Sequence, residues 1–88
     1  MTLNQIKAAV IGKTFTSYDS FNGSSTYVEN IKNVTKTQYG YNLTGQTSWG
    51  ERDVFVGGDT IHALVKNGQF ERETYVDHIS CTYSAELK

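Results

Sequence analysis

The chain has 88 residues, of which 38% are hydrophobic and 12% aromatic, with no proline and a formal net charge of -1 at pH 7. This length predicts one domain over residues 1–88. A nucleic-acid binder usually has a basic patch, and this nearly neutral chain shows none. Its single cysteine excludes an internal disulfide framework. Neither a signal peptide nor an apolar run of about 18 residues is present, so the sequence predicts a cytoplasmic protein without a membrane span.

The first predicted element is a short amphipathic helix. Thr2 and Gln5 have the spacing of a capping box, in which each side chain accepts a hydrogen bond from the other residue's backbone. Ile6 and Val10 follow at helical spacing, and Gly12 stands where a helix commonly ends. Because an isolated helix of about three turns is marginal in water, we expect it to pack against a sheet.

A β-hairpin is predicted next. Residues 14–21 are rich in Thr, Tyr and Phe, which favour strands, and Asn22-Gly23 follows directly. This dipeptide is typical of a two-residue type I′ turn, which needs positive φ at both central residues. With that turn, Tyr18 would stand opposite Tyr27 as a cross-strand aromatic pair.

The segment that returns from this turn allows two interpretations. Tyr27, Ile31 and Val34 have the i, i+4, i+7 spacing of a helix, and Thr26 and Glu29 could form its capping box. However, the segment is rich in β-branched residues and Asn, which are poor helix formers. We therefore predict a strand and keep the helix as the alternative.

The middle of the chain predicts two further strands. Residues 38–44 alternate between apolar and polar positions, and residues 52–56 form a short run that ends at two glycines. Between them, residues 45–50 read as a polar loop that carries Trp49. This tryptophan either folds back as a lid over the core or is exposed as an interface anchor.

The last part of the chain predicts a second helix and a long strand. Asp59 is a suitable N-cap for a helix over residues 60–67, and Gly68 is its expected stop. Residues 70–83 then have a period-2 pattern whose apolar phase changes, which indicates a bulge or strand break near residues 76–78. As a candidate edge strand, this segment could also pair two copies into a homodimer.

Together these elements predict an α+β fold in the order α-β-β-β-β-α-β. The expected architecture is a small, twisted, mostly antiparallel sheet of four to five strands with two short helices on one face. The residues expected in the core are Leu3, Ile6, Val10, Leu43, Val54, Val56, Ile61, Leu64, Val65 and Ile79.

Catalysis and metal binding have little support in the sequence. His62 falls off the apolar stripe of its helix, and the spacing of His78 and Cys81 places them on opposite faces of a strand. A zinc site needs three or four converging ligands, and a Cys–His nucleophile pair needs hydrogen-bond reach. We therefore predict that the protein is not an enzyme and has no metal site or cofactor.

The charge distribution suggests a binding function. The first fifty residues carry four basic and two acidic side chains, whereas residues 51–88 carry four basic and seven acidic ones. An acidic surface with an aromatic anchor is suited to a basic macromolecular partner. The residues expected to contact the partner are Trp49, Glu51, Asp53, Glu71, Glu73 and Asp77.

The leading hypothesis is therefore a non-enzymatic protein that binds and inhibits another protein. The composition is typical of small accessory proteins of phages and mobile elements, which often block a host enzyme or defence complex. One alternative is a small-molecule or nucleotide binder with its site between subunits. A single-stranded nucleic-acid binder is the third hypothesis, and it would require Lys7, Lys13, Lys32 and Lys36 to gather on one face.

Overall fold

The computed structural model describes residues 1–88, and their elements follow in the order α-β-β-β-β-α-β-β. They are α1 (Leu3–Val10), β1 (Phe15–Asp19), β2 (Ser24–Lys36), β3 (Gly40–Thr47), β4 (Gly50–Gly57), α2 (Gly58–Asn67), β5 (Gln69–Val76) and β6 (Ile79–Leu87). All strand pairs are antiparallel and form one six-stranded sheet in the order β4-β3-β2-β1-β6-β5. The α+β class is confirmed, whereas the expected four to five strands fall short because the last predicted strand is a hairpin.

The turn between β5 and β6 explains the extra strand. Val76 pairs directly with Ile79, so only Asp77 and His78 connect the two strands. Both connecting residues have positive φ, 51° and 67°, as a two-residue type I′ turn requires. The break expected near residues 76–78 is therefore confirmed, and it is a complete chain reversal.

The β1–β2 hairpin has a different register from the predicted one. Tyr18 pairs with Ser25 and Tyr27 pairs with Thr16, so the expected Tyr18–Tyr27 pair is wrong. The strands are joined by a four-residue loop over residues 20–23, in which Gly23 alone has positive φ. A type I′ turn at Asn22-Gly23 is thus absent.

Hydrogen bonds made by residues 19 and 20 account for the longer loop. The Asp19 carboxylate accepts a 2.9 Å hydrogen bond from the Phe21 amide, which turns the chain before Asn22 is reached. The Ser20 amide donates to the Thr82 carbonyl, and the Ser20 hydroxyl accepts from the Thr82 amide. Ser20 is therefore held beside β6 directly after β1 ends at Asp19.

A bulge in β2 explains why this strand resembles a helix in sequence. Glu29 pairs with Gln46 and Asn33 pairs with Thr44, so β2 has two more residues than β3 between these pairs. Asn30, inside the bulge, has a φ of 53°. The bulge shifts the side-chain alternation, so that Val28, Ile31 and Val34 are all buried at a spacing of three. The strand interpretation is confirmed.

The core lies between the helices and one face of the sheet. Both residues of the predicted capping box bond as expected at the start of α1, whereas α2 begins at Gly58 with Gly57 as N-cap, so Asp59 lies in the first turn instead of capping it. The buried cluster consists of Ile6, Val10, Phe15, Val28, Ile31, Val34, Tyr41, Leu43, Val56, Ile61, Leu64 and Ala85. Neither helix is long and apolar enough to cross a lipid bilayer.

Four residues of the expected core depart from full burial. Leu3, Val54 and Val65 are half-buried against the cluster, while Ile79 is 66% exposed and its predicted burial is wrong. Ile79 lies beside the hairpin turn, in the stretch 71–80 where every residue is exposed. Strand alternation at this end of the sheet therefore has no core to face.

Candidate protein-binding surface

The face of the sheet that turns away from the helices is the candidate site, and we call it the outer face. Its residues alternate along the strands with core residues such as Phe15, Val56 and Ala85. Every strand contributes polar or aromatic side chains to it. Hydrogen bonds between side chains of neighbouring positions, such as Thr44 to Asp53, confirm that these residues share a face.

The six residues expected to bind a partner lie on two separate hairpins. Trp49, Glu51 and Asp53 belong to the β3–β4 hairpin, and we call them the β4 cluster. Glu71, Glu73 and Asp77 belong to the β5–β6 hairpin, and we call them the β5 cluster. Because β4 and β5 are opposite edges of the sheet, four strands lie between the two clusters. The sequence pattern alone predicts that the residues of both clusters form one patch.

The acids of the β4 cluster already have partners within the protein. Glu51 forms an ion pair with Lys32, whose ammonium lies 2.9 Å from its carboxylate. Asp53 accepts a 2.6 Å hydrogen bond from the Thr44 hydroxyl. Both pairs are exposed, but Lys32 directly offsets the charge of Glu51.

Trp49 lies at the tip of the β3–β4 hairpin with its ring in solvent. Its side chain is 82% exposed, so it is not folded back as a lid over the core. The backbone around it is held: the Thr47 hydroxyl accepts from the Trp49 amide and donates to the Gly50 carbonyl. Arg52 also donates to the Trp49 carbonyl. An exposed ring on a fixed turn suits an interface anchor.

The acids of the β5 cluster have no basic partner. The protein's two ion pairs join Lys32 to Glu51 and Lys88 to Glu86, so neither involves this cluster. Glu73 instead accepts hydrogen bonds from the Ser80 hydroxyl at 2.7 Å and the Tyr75 hydroxyl at 3.1 Å.

These two hydroxyl donors favour the ionised form of Glu73. The hydrogen bond from Ser80, reinforced by the one from Tyr75, lowers the pKa of Glu73 below its ordinary value because both bonds favour the charged form. The same bonds hold the Tyr75 ring beside the carboxylate. The cluster therefore presents a fixed negative charge next to an exposed aromatic ring.

A wide depression lies on the outer face between β1 and β5. Its volume is about 770 Å³, and its lining includes Thr16, Tyr18, Glu71, Ser84 and Glu86. Ser84 pairs with both Tyr18 and Glu71, so the strand register brings these side chains into one row. No local sequence pattern indicates that the hydroxyl residues and Glu86 lie together, because their proximity follows from the order of the strands, with β6 between β1 and β5.

Except for Lys32, which forms an ion pair with Glu51, the basic residues of the strands lie on the opposite face. Lys36, Arg52 and Arg72 alternate with the outer acids, and their pairing partners are Tyr41, Gly45 and Tyr83. The Lys36 ammonium lies 4.9 Å from the centre of the Tyr41 ring, which engages its charge. With Lys32 paired to Glu51, two of the four lysines expected in a nucleic-acid site are already engaged.

The histidines and the cysteine considered for catalysis lie in different environments. His78 lies in the exposed β5–β6 turn, whereas Cys81 is only 5% exposed and its thiol lies 3.8 Å from the Ile79 carbonyl oxygen. The His62 ring packs 6.3 Å from that of Tyr41. No three His, Cys, Asp or Glu side chains are grouped to hold a metal ion.

Compared with known proteins, the chain matches no family model, no curated protein and no solved structure.

Proposed function

We propose that the protein is a non-enzymatic binding protein whose outer face binds a basic surface of another protein. The observation that carries this proposal is the separation of charge across the sheet. The acids of β4, β5 and β6 lie on the outer face, while the arginines of the same strands lie on the other. Complementary charge directs association and selects the face that a partner meets.

The depression between β1 and β5 suits lysine and arginine side chains of the partner. Glu71 supplies a carboxylate without an ion pair, Glu86 supplies one that is paired with Lys88 at 3.3 Å, and Thr16, Tyr18 and Ser84 supply hydroxyl acceptors around them. Charge-assisted hydrogen bonds to such groups are stronger than neutral ones. Because the acids of the β5 cluster have no internal basic partner, they lose no ion pair when the partner binds.

Exposed aromatic rings surround the acids and supply apolar contact area. Tyr18, Tyr27, Phe55 and Tyr75 are each about half exposed or more on the outer face. Tyrosine and tryptophan are enriched among the residues that contribute most to protein interfaces, and arginine of a partner stacks well on their rings. Trp49 adds a fifth ring at one end of this surface.

Binding of this kind can inhibit without any reaction. A basic surface on a protein commonly serves an acidic ligand of its own, such as a nucleic-acid backbone. A tightly bound acidic face occupies that surface and excludes the ligand. We therefore propose that the protein blocks its partner by covering a functional basic site.

A differential pull-down tests the proposal. Tagged wild-type protein and the double variant Glu71→Gln/Glu73→Gln are incubated with the same bacterial lysate, and retained proteins are identified by mass spectrometry. We expect proteins with basic surfaces to be retained by the wild type, lost from this variant, and released as salt rises. Retention of the same proteins by both would contradict the use of the β5 cluster.

The matched control changes the same number of charges on the other cluster. Glu51→Gln/Asp53→Asn removes two acids that already have internal partners. We expect it to retain the partner better than the β5 variant does. An equal loss in both variants would show that only the total charge of the protein matters.

A further inference from the structure

A second depression, separate from the outer-face depression, lies where β4 runs into α2. It has a volume of about 450 Å³, within the range of small-molecule sites. Gly57 and Gly58 form its floor at the beginning of α2. Gly57 is the N-cap and offers no side chain to the first-turn amides, so these donors and the positive end of the helix dipole face the depression.

The largely buried residue Thr60 lines the same depression. Thr60 is only 6% exposed, yet its hydroxyl makes no hydrogen bond within the protein. Since no fully buried side-chain oxygen or nitrogen lacks a partner, this hydroxyl must reach solvent, and Thr60 lines the depression. It is a donor held in place with nothing of the protein's own to bind.

Arg72 brings a positive charge to the same depression. Its guanidinium carbon lies 6.0 Å from the ring centres of Phe70 and Tyr83, and it has no carboxylate partner. These rings flank an arginine whose planar group can donate two hydrogen bonds to one phosphate. Arg72 and the first residues of α2 therefore line one depression with groups that can contact an anion.

Two aromatic rings complete the depression. Tyr39 is 77% exposed and Phe55 is 55% exposed, and both line it. Gly40 leaves room for Phe55, since a Cβ at that position would lie 3.0 Å from the Phe55 Cε2 atom. Exposed rings next to an anion site can stack on a planar aromatic group of the ligand.

We propose that this depression binds a phosphate monoester carried on an aromatic group, of which a nucleoside monophosphate is the simplest example. The phosphate lies against the α2 amides, the Thr60 hydroxyl and Arg72, and the base stacks on Tyr39 or Phe55. Asp59 also lines the depression, and its carboxylate opposes the phosphate. The site lies within one chain, not between subunits, and Phe55 is the residue that it shares with the outer face.

Titrations followed by NMR of the ¹⁵N-labelled protein test the site. The probes are AMP, adenosine and inorganic phosphate. We expect AMP to give saturable shifts at the amides of Gly57, Gly58 and Thr60, with an affinity about tenfold above that of phosphate because a stacked base adds to the anion contact. No saturable shift at these amides with AMP up to about 10 mM would overturn the proposal.

Matched variants show whether the named residues hold the ligand. Arg72→Gln should weaken AMP binding about tenfold, because it removes charged hydrogen bonds, whereas Arg52→Gln should leave it unchanged. Thr60→Val keeps the buried shape and should weaken binding about threefold or more. Asp59→Asn should tighten it about two- to fivefold by removing a repulsive charge at the helix start. Equal effects of the two arginine variants would overturn the site.

A further pair of probes separates the two sources of this ligand chemistry. A 5′-phosphorylated tetranucleotide that binds more tightly than AMP would assign the site to the end of a nucleic-acid strand. AMP binding at least as tightly would assign it to a free nucleotide. The same tetranucleotide without its phosphate should not shift the α2 amides, and an equal shift would contradict the phosphate position.

Discussion

The β4 and β5 clusters each place two strand carboxylates on the outer face, yet these carboxylates differ in their partners within the protein. Glu51 forms an ion pair with Lys32, and Asp53 accepts a hydrogen bond from Thr44. In contrast, Glu71 has no ion pair, and Glu73 accepts hydrogen bonds only from hydroxyl groups. An ion pair within the protein reduces what a carboxylate can offer to a partner. The comparison teaches that the number of acids is a poor guide to a binding surface, and that their local partners decide which acids act.

The largest expected effect is on the stability of the whole fold, because destabilising the core affects both clusters equally. Leu64 is 1% exposed in the core that supports the sheet. Leu64→Ala should lower the free energy of unfolding by about 2–5 kcal/mol, the usual cost of emptying a buried leucine site. Urea unfolding followed by circular dichroism measures it. Ile79→Ala, at an exposed position, should change stability by at most about 0.5 kcal/mol.

A substitution in β3, opposite the β2 bulge, should disturb the β4 side of the sheet more than the β5 side. A Cβ on Gly45 would lie 2.9 Å from the Glu29 carbonyl oxygen and 2.7 Å from Val28 Cγ1. Gly45→Ala should therefore cost about 1–3 kcal/mol, as overpacking usually does. Hydrogen exchange should show weaker protection in β3 and β4 than in β5 and β6. Gly58→Ala, where a Cβ meets nothing within 4 Å, is the control.

Association kinetics should separate the clusters once a partner is identified. Glu71→Gln/Glu73→Gln should slow association about tenfold at low salt, and the loss should shrink as salt rises. Glu51→Gln/Asp53→Asn removes the same formal charge and should slow association less. Trp49→Ala should instead speed dissociation in a largely salt-independent way. Surface plasmon resonance at two salt concentrations measures all three, and identical rates for the two double variants would remove the distinction between the clusters.

The smallest of these expected effects is on the pH dependence of stability, which should distinguish Glu73 from Glu71. Because hydrogen bonds from Ser80 and Tyr75 lower its pKa, folded Glu73 binds a proton less readily than in the unfolded chain. Its stabilising contribution is present above the ordinary glutamate pKa of about 4.3 and is lost as pH falls through the lower folded value.

Glu73→Gln should therefore lose less stability than the wild type as the pH falls from about 5 to 3. Glu71→Gln removes an equal charge without these hydrogen bonds, so it should keep the wild-type profile. Thermal unfolding across this range compares the three proteins. A Glu73→Gln profile that matches the wild type would show that the two hydroxyl contacts contribute nothing.

Local patterns in the sequence predicted most of the elements but not how they pair. The Thr2 capping box, the stop at Gly68 and the break near residue 77 each depend on a few adjacent residues, and all three are confirmed. The hydrogen bonds that hold the start of the β1–β2 loop join Ser20 to Thr82, which are 62 residues apart. No local pattern contains that contact.

The sequence predicted which residues of the candidate site are exposed, but not how they are arranged. All six expected residues are exposed, but their division between opposite edges follows from the strand order, which places β6 beside β1. Glu86 and Ser84 enter the depression for the same reason. The bulge at Asn30 also hid three core residues, because it converts a strand's alternation into a spacing of three.

The most direct test of the charge separation is to map where a basic peptide binds. A decalysine peptide is titrated into the ¹⁵N-labelled protein at low salt, and amide shifts are followed residue by residue. We expect the largest shifts at Glu71, Glu73 and Ser84, weakened by added salt and by Glu71→Gln/Glu73→Gln. Largest shifts around Glu51 and Asp53, or shifts that survive the double substitution, would contradict the central claim that the uncompensated acids of the β5 cluster form the binding surface.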